Sequence, residues 1–171
     1  MVETRSYVLY NGMKRKWYRV IQSAFKHIDV AVTSLIDICD QLSEQDLTLT
    51  PIEGEPPVGE LLSHLSMICR ADVYISEGAS EEEMASFYEE NQPQTLSEIK
   101  QALIENQMYL YQRYRQFNTE ELLKVTDSYW GASYSRLEWL LEIMGHVYHD
   151  RGQLYTMLTL TGRETKVPLL K

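Results

Sequence analysis

Four stretches in which apolar residues recur at intervals of three and four, separated by loops containing proline or glycine, leave this chain little room for anything but helices. The first runs from about Lys14 to Leu42, with Ile21, Ala24, Phe25, Ile28, Ala31, Leu35 and Ile38 on one face. Thr50-Pro51-Ile52-Glu53-Gly54-Glu55-Pro56-Pro57 then breaks the helix, and Pro57 can open the next one at its first turn. The second stripe is Val58, Leu61, Leu65, Ile68 and Ile75. The third opens on a capping box, Thr95 with Glu98, and continues through Ile99, Leu103, Asn106, Leu110, Tyr114 and Phe117. The fourth runs from about Ser133 to Leu160, carries Leu137, Leu140, Leu141, Met144, Val147, Leu154 and Leu158, and is stopped by Gly162.

The connections are read from the same rules. Met1 to Asn11 has no clear period, and Tyr7, Val8, Leu9 and Tyr10 form either a short extended arm or a patch packed on the bundle. The acidic segment from Gly78 to Pro93 reads as a solvated crossover with room for one short helix. Asn118 can cap a helical turn through Lys124, and Val125 to Ala132 reads as a loop in which Tyr129 and Trp130 either line a site or simply pack. Four amphipathic helices without a convincing strand make an all-α four-helix bundle, one domain over residues 1–171.

A formal charge of −9 with a single short basic run, Lys14-Arg15-Lys16, excludes a nucleic-acid backbone as partner. No apolar run approaches membrane-spanning length and Met1 to Lys16 has no secretory h-region, so a cytoplasmic protein is expected. Cys39 and Cys69 lie in apolar helical patterns, which favours buried free thiols over a disulfide.

Chemistry concentrates at Gly145-His146-Val147-Tyr148-His149-Asp150-Arg151-Gly152-Gln153-Leu154. His146 and Asp150, four residues apart on a helix, share one face, and imidazole with carboxylate is a ligand mix for Zn, Fe, Ni or Mn. His64, three after Leu61 and four before Ile68, points into its helix's apolar stripe and is the candidate third ligand. A polar trio facing a bundle interior is costly unless its members satisfy one another or hold an ion. His149 can replace Asp150, since three-residue spacing also keeps it near His146. His27 reads as a surface or core-edge residue. Arg151, rotated about 100° from Asp150, either orients a substrate or bridges helices.

Two segments resemble a known family. Pro57-Val58-Gly59-Glu60-Leu61-Leu62-Ser63-His64-Leu65 is similar to the second helix of the DinB-like (YfiT-like) superfamily, and His146-x-x-His149-Asp150-Arg151-Gly152-Gln153 to its last helix. The resemblance implies a four-helix bundle in up-down-down-up order, a homodimer, and a divalent metal, Zn or Ni, on three histidines. It also implies a small-molecule substrate and a low-molecular-weight thiol, as in bacillithiol S-transferases and mycothiol-dependent isomerases. His64 and His146 match the first two ligands; the third position holds Asp150 instead of histidine. The alternative function is a non-catalytic bundle with a degenerate metal site that binds a protein or a small apolar ligand.

Overall fold

The computed structural model describes residues 2–163 and 165–167, with side chains from Trp17 onward. Among the described residues, six helices and one hairpin follow in order: α1 (Val2–Cys39), α2 (Val58–Ser76), α3 (Glu81–Asn91), α4 (Leu96–Gln116), α5 (Thr119–Leu123), β1 (Val125–Asp127), β2 (Ser133–Ser135) and α6 (Arg136–Leu160). A single turn of 3-10 helix, Glu44–Thr48, lies between α1 and α2.

The four long helices correspond to the four apolar stripes. Their inner faces meet in one core, to which α1 gives Ile28 and Leu35, α2 Leu62 and Leu65, α4 Leu103 and Leu110, and α6 Leu140 and Leu154. Hydrogen bonds between helices set their directions. Tyr111 of α4 donates to the Phe25 carbonyl and Lys100 to Asp40, so α1 and α4 run antiparallel. Asn106 donates to the Ser66 carbonyl and Arg113 pairs with Glu77, so α2 and α4 run parallel. On α6, Tyr148 donates to the His27 carbonyl and Arg151 to Ser34, so α1 and α6 run parallel.

Helix starts follow local chemistry. Ser80, Thr95, Asn118 and Ser135 are N-caps, each in a capping box with the glutamate three residues on. Gly162, at φ 75°, takes the left-handed conformation that closes α6. Gly59 is needed for another reason. A Cβ there would lie 2.9 Å from the Leu47 carbonyl oxygen, a backbone atom that cannot swing aside. Crowding of this kind costs about 1–3 kcal/mol, and alanine's better helix preference returns at most about 1 kcal/mol. Gly59→Ala is therefore expected to lower unfolding free energy by about 1–2 kcal/mol, read as a lower urea midpoint at unchanged slope.

Several expectations are corrected. Residues from Val2 onward continue α1, so the extended-arm reading of Tyr7 to Tyr10 fails; their packing, the Lys14-Arg15-Lys16 side chains and the tail at Pro168 lie outside the described side chains. Pro57 is the N-cap of α2 instead of its first helical residue. The loop from Val125 contains an antiparallel hairpin, Val125 opposite Ser135 and Asp127 opposite Ser133, and α6 starts three residues later than its apolar pattern suggests. Trp139 is 2% exposed, buried inside the chain. As expected, both cysteines are free and buried, and burial pushes each thiol up to about 12. No helix among the described residues is long and apolar enough to cross a membrane.

Candidate metal centre

α2 and α6 pack side by side, and the bonds between them fix an antiparallel register. Asp72 pairs with His146, His64 with Asp150, and Glu55, just before α2, with Gln153. The i, i+4 spacing puts His146 and Asp150 on the face of α6 turned to α2. The eight residues from His64 to Asp72 do the same for α2 over two turns.

Three ligand-type atoms converge there. His64 Nε2 lies 3.3 Å from His146 Nε2, and Asp150 Oδ2 lies 3.4 Å from each of them. The three form a nearly equilateral triangle. A tetrahedral ion with bonds of about 2.0–2.1 Å holds its ligands about 3.3–3.4 Å apart, so the edges of this set match those of a zinc-sized tetrahedral site. Ninety-degree coordination at the same bond length needs edges nearer about 3 Å. The two imidazoles are partly exposed, their side chains 39% and 33% accessible for His64 and His146, while Asp150 is buried. The triangle therefore sits at the bundle surface, with its carboxylate corner inside.

Asp72 completes the arrangement. Buried at 6% exposure, it accepts a hydrogen bond from His146 Nδ1 at 3.0 Å. That bond fixes the ring and turns the Nε2 lone pair towards the triangle. Without an ion, a proton takes its place. Hydrogen bonds to Asp150 and Asp72 push the His146 imidazole up to about 10. Burial and the neighbouring His146 pull His64 below its ordinary value. Burial alone would raise Asp150, but its hydrogen bond to His146 and the positive charges around it prevail and hold it low. Sequence reasoning missed Asp72. Its signal was available: an aspartate eight residues after His64, inside an apolar helix.

The other residues singled out lie elsewhere. His149 is exposed and stands outside the triangle, lining a cleft on its far side. His27 is exposed, as expected. Arg151 bonds Ser34 of α1, which is the helix-bridging role, and stacks over Tyr148 of its own helix at 4.4 Å. Tyr129 and Trp130 line the cleft beside His146.

Two clefts of about 520 Å³ flank the triangle. One lies on the His146 side, under the hairpin tip; the other lies on the side of His64 and Asp150. Tyr88 of α3 belongs to both walls, its ring 6.3 Å from that of His64. Burial, followed by the Asp72 charge, raises its hydroxyl above the ordinary tyrosine range. The acidic crossover thus supplies a side chain to the site, although its glutamates are largely solvent-facing.

The DinB family model matches residues 13–167. The chain belongs to the DinB family. A solved structure from Exiguobacterium sibiricum assigned to that family is 30% identical, with a TM-score of 0.78 over 88% of this chain and 97% of that one. A DinB-like protein from Bacillus subtilis is 18% identical, with a TM-score of 0.61 over 88% and 96%. A mycothiol-dependent maleylpyruvate isomerase shares the fold at 10% identity, with a TM-score of 0.60 over 78% of this chain and 60% of that one. None of the curated proteins matches the chain.

Asp72 should act through His146. Asp72→Asn keeps the shape but loses the charge that orients and enriches the imidazole. Zinc affinity is expected to fall by about 10–100-fold, measured by competition with a chromophoric chelator, while the fold is kept.

Proposed function

We propose that this DinB-family protein is a zinc-dependent enzyme that joins a small thiol to a small electrophile, with His64, His146 and Asp150 as the zinc ligands. The observation that carries the metal assignment is the triangle of 3.3 and 3.4 Å edges, whose donors and spacing suit a tetrahedral ion. Two imidazoles and one carboxylate leave a fourth position for a reactant. When bound, the ion lowers the pKa of a coordinated thiol or water, so that a nucleophile exists at neutral pH.

The chain's own residues do the rest. Asp72 holds the His146 ring and its tautomer. The buried Asp150 gives the centre a negative charge that offsets the cation. The two clefts admit reactants from either side of the α2–α6 seam, and Tyr88 stands between them. Thiol chemistry enters from the family and from the mycothiol-dependent neighbour, and a homodimer and a cytoplasmic location belong to the same reading.

The test is zinc-loaded, tag-free protein incubated with bacillithiol, cysteine or cysteamine and a chromogenic electrophile. Conjugate formation above the uncatalysed rate is expected with at least one thiol, and should vanish in His64→Ala. Zinc-loaded protein that never exceeds the uncatalysed rate would overturn the transferase reading. Protein that binds no zinc but still takes up apolar ligands would favour the non-catalytic bundle.

A further inference from the structure

The clefts beside the triangle carry a charge and ring pattern that selects a substrate class. On the His146 side the walls are aromatic: Tyr88 from α3, Tyr129 and Trp130 from the hairpin tip, and Trp139 from α6. Trp130 is 55% exposed and Tyr129 46%, a large apolar surface for a hairpin of three-residue strands. These rings are held in place. Thr126 donates to the Ser76 carbonyl at the end of α2, tying the hairpin down, and Ser128 closes its tip through bonds with Ala132 and Gly131. Tyr129 stands edge-on to Trp130 at 4.7 Å, and Trp130 edge-on to Trp139 at 6.2 Å.

The charges in the walls have one sign apart from three histidines, His146 and His149 in the aromatic cleft and His64 in the other. Asp72 and Glu142 line the aromatic cleft; Glu55, Glu60, Glu89 and Asp150 line the other. No lysine or arginine lines either cleft among the described residues. Glu142 lies four residues before His146, so Glu142, His146 and Asp150 succeed one another on one face of α6, about 5.4 Å apart per turn.

We propose that the aromatic cleft binds a small organic cation with a flat apolar body, its ring against Trp130 and Tyr129 and its ammonium group towards Glu142. This rests on the reading of His64, His146 and Asp150 as the reaction centre, and it names the substrate class of that centre. An aromatic wall with a carboxylate is the arrangement that favours an organic cation. A neutral molecule gains only the rings. An anion meets the carboxylates of Asp72 and Glu142, while the positive charge at His146 is already engaged by Asp72 and Asp150, so an anion is disfavoured. An ammonium at Glu142 places the reacting end of the molecule one helical turn away, beside His146. The same charges weigh against a polyanionic thiol carrier and favour a thiol without net negative charge.

Three probes of one shape separate the possibilities: 2-phenylethylammonium, 2-phenylethanol and 3-phenylpropionate, titrated against tryptophan fluorescence with zinc content measured on the same samples. The ammonium probe should bind about tenfold or more tighter than the carboxylate. Trp130→Ala should weaken ammonium binding by about fivefold or more. Glu142→Gln should cut the preference for cation over anion by a similar factor and leave zinc content unchanged. A carboxylate probe that binds as tightly as the ammonium overturns the proposal, as does ammonium binding that neither variant alters. Zinc-bound protein without a cation preference sinks this inference alone. The preference in a protein that takes up no zinc supports the cleft's specificity and sinks the reaction-centre reading instead.

Discussion

Replacing His146 with alanine is expected to reduce zinc affinity by well over about 100-fold, beyond the loss typical of an outer partner, and to abolish thiol transfer with it. The side chain has three roles, the first with an ion bound and the third without one. Its Nε2 is one corner of the triangle, its Nδ1 engages Asp72, and its charge holds Asp150 in the ionised form that binds a cation. Removing it leaves Asp72 and Asp150 buried without the imidazole that engages both. The same residue gives the metal-free protein a pH dependence. The folded His146 titrates at about 10, against 6.5 for an ordinary histidine. A pKa raised by folding contributes stability that is fully present below 6.5 and is lost as pH rises through about 10. Chelator-treated wild type should therefore lose stability across that window, and His146→Ala should lack this component. Zinc binding at neutral pH should also release a proton, seen as a buffer-dependent enthalpy in calorimetry.

Trp139→Ala is expected to cost about 3–5 kcal/mol of unfolding free energy, read from denaturant melts. Trp139 packs with Ala71 and Ile75 of α2 and Met84 of α3 in a small second cluster, and its ring meets Trp130 and Tyr134 of the hairpin region edge-on. Its indole N–H has no hydrogen-bond partner among the described residues, so the loss is one of packing. Trp139→Phe keeps a ring there and should cost less. The effect also reaches function. Met84, 1% exposed, anchors the α3 that carries Tyr88, and the hairpin tip carries Trp130. The alanine variant should show weaker binding in the aromatic cleft while retaining zinc, because Trp139 supplies none of the three ligand-type atoms.

The helical nature of the fold was legible because burial on one face of a helix writes a three-four pattern, and Leu35, Leu65, Leu110 and Leu154 all lie where that pattern puts them. The hairpin was not legible: strands of three residues are too short for an alternating pattern, and Tyr129 and Trp130 belong to the cleft more than to any core. The start of α6 was misplaced although its signal was present. Ser135 and Glu138 form a capping box as clear as that of Thr95 and Glu98, which had marked α4 correctly. The i, i+4 rule placed His146 and Asp150 on one face; that His64 meets them depends on the α2–α6 register, which sequence spacing does not encode. Asp72 and Tyr88 were missed for the same reason. One looks like an isolated acid in an apolar helix and the other like an aromatic in a solvated crossover, until tertiary packing gives each a neighbour.

The central claim is that His64, His146 and Asp150, with Asp150 in the place of a histidine, hold one divalent ion. Elemental analysis of tag-free wild type, Asp150→Ala and His149→Ala, each loaded with zinc and desalted, tests it most directly. About one zinc per chain is expected in wild type and in His149→Ala, and less than about a tenth of that in Asp150→Ala. Wild type that retains no zinc, or zinc lost from His149→Ala and kept by Asp150→Ala, would contradict it.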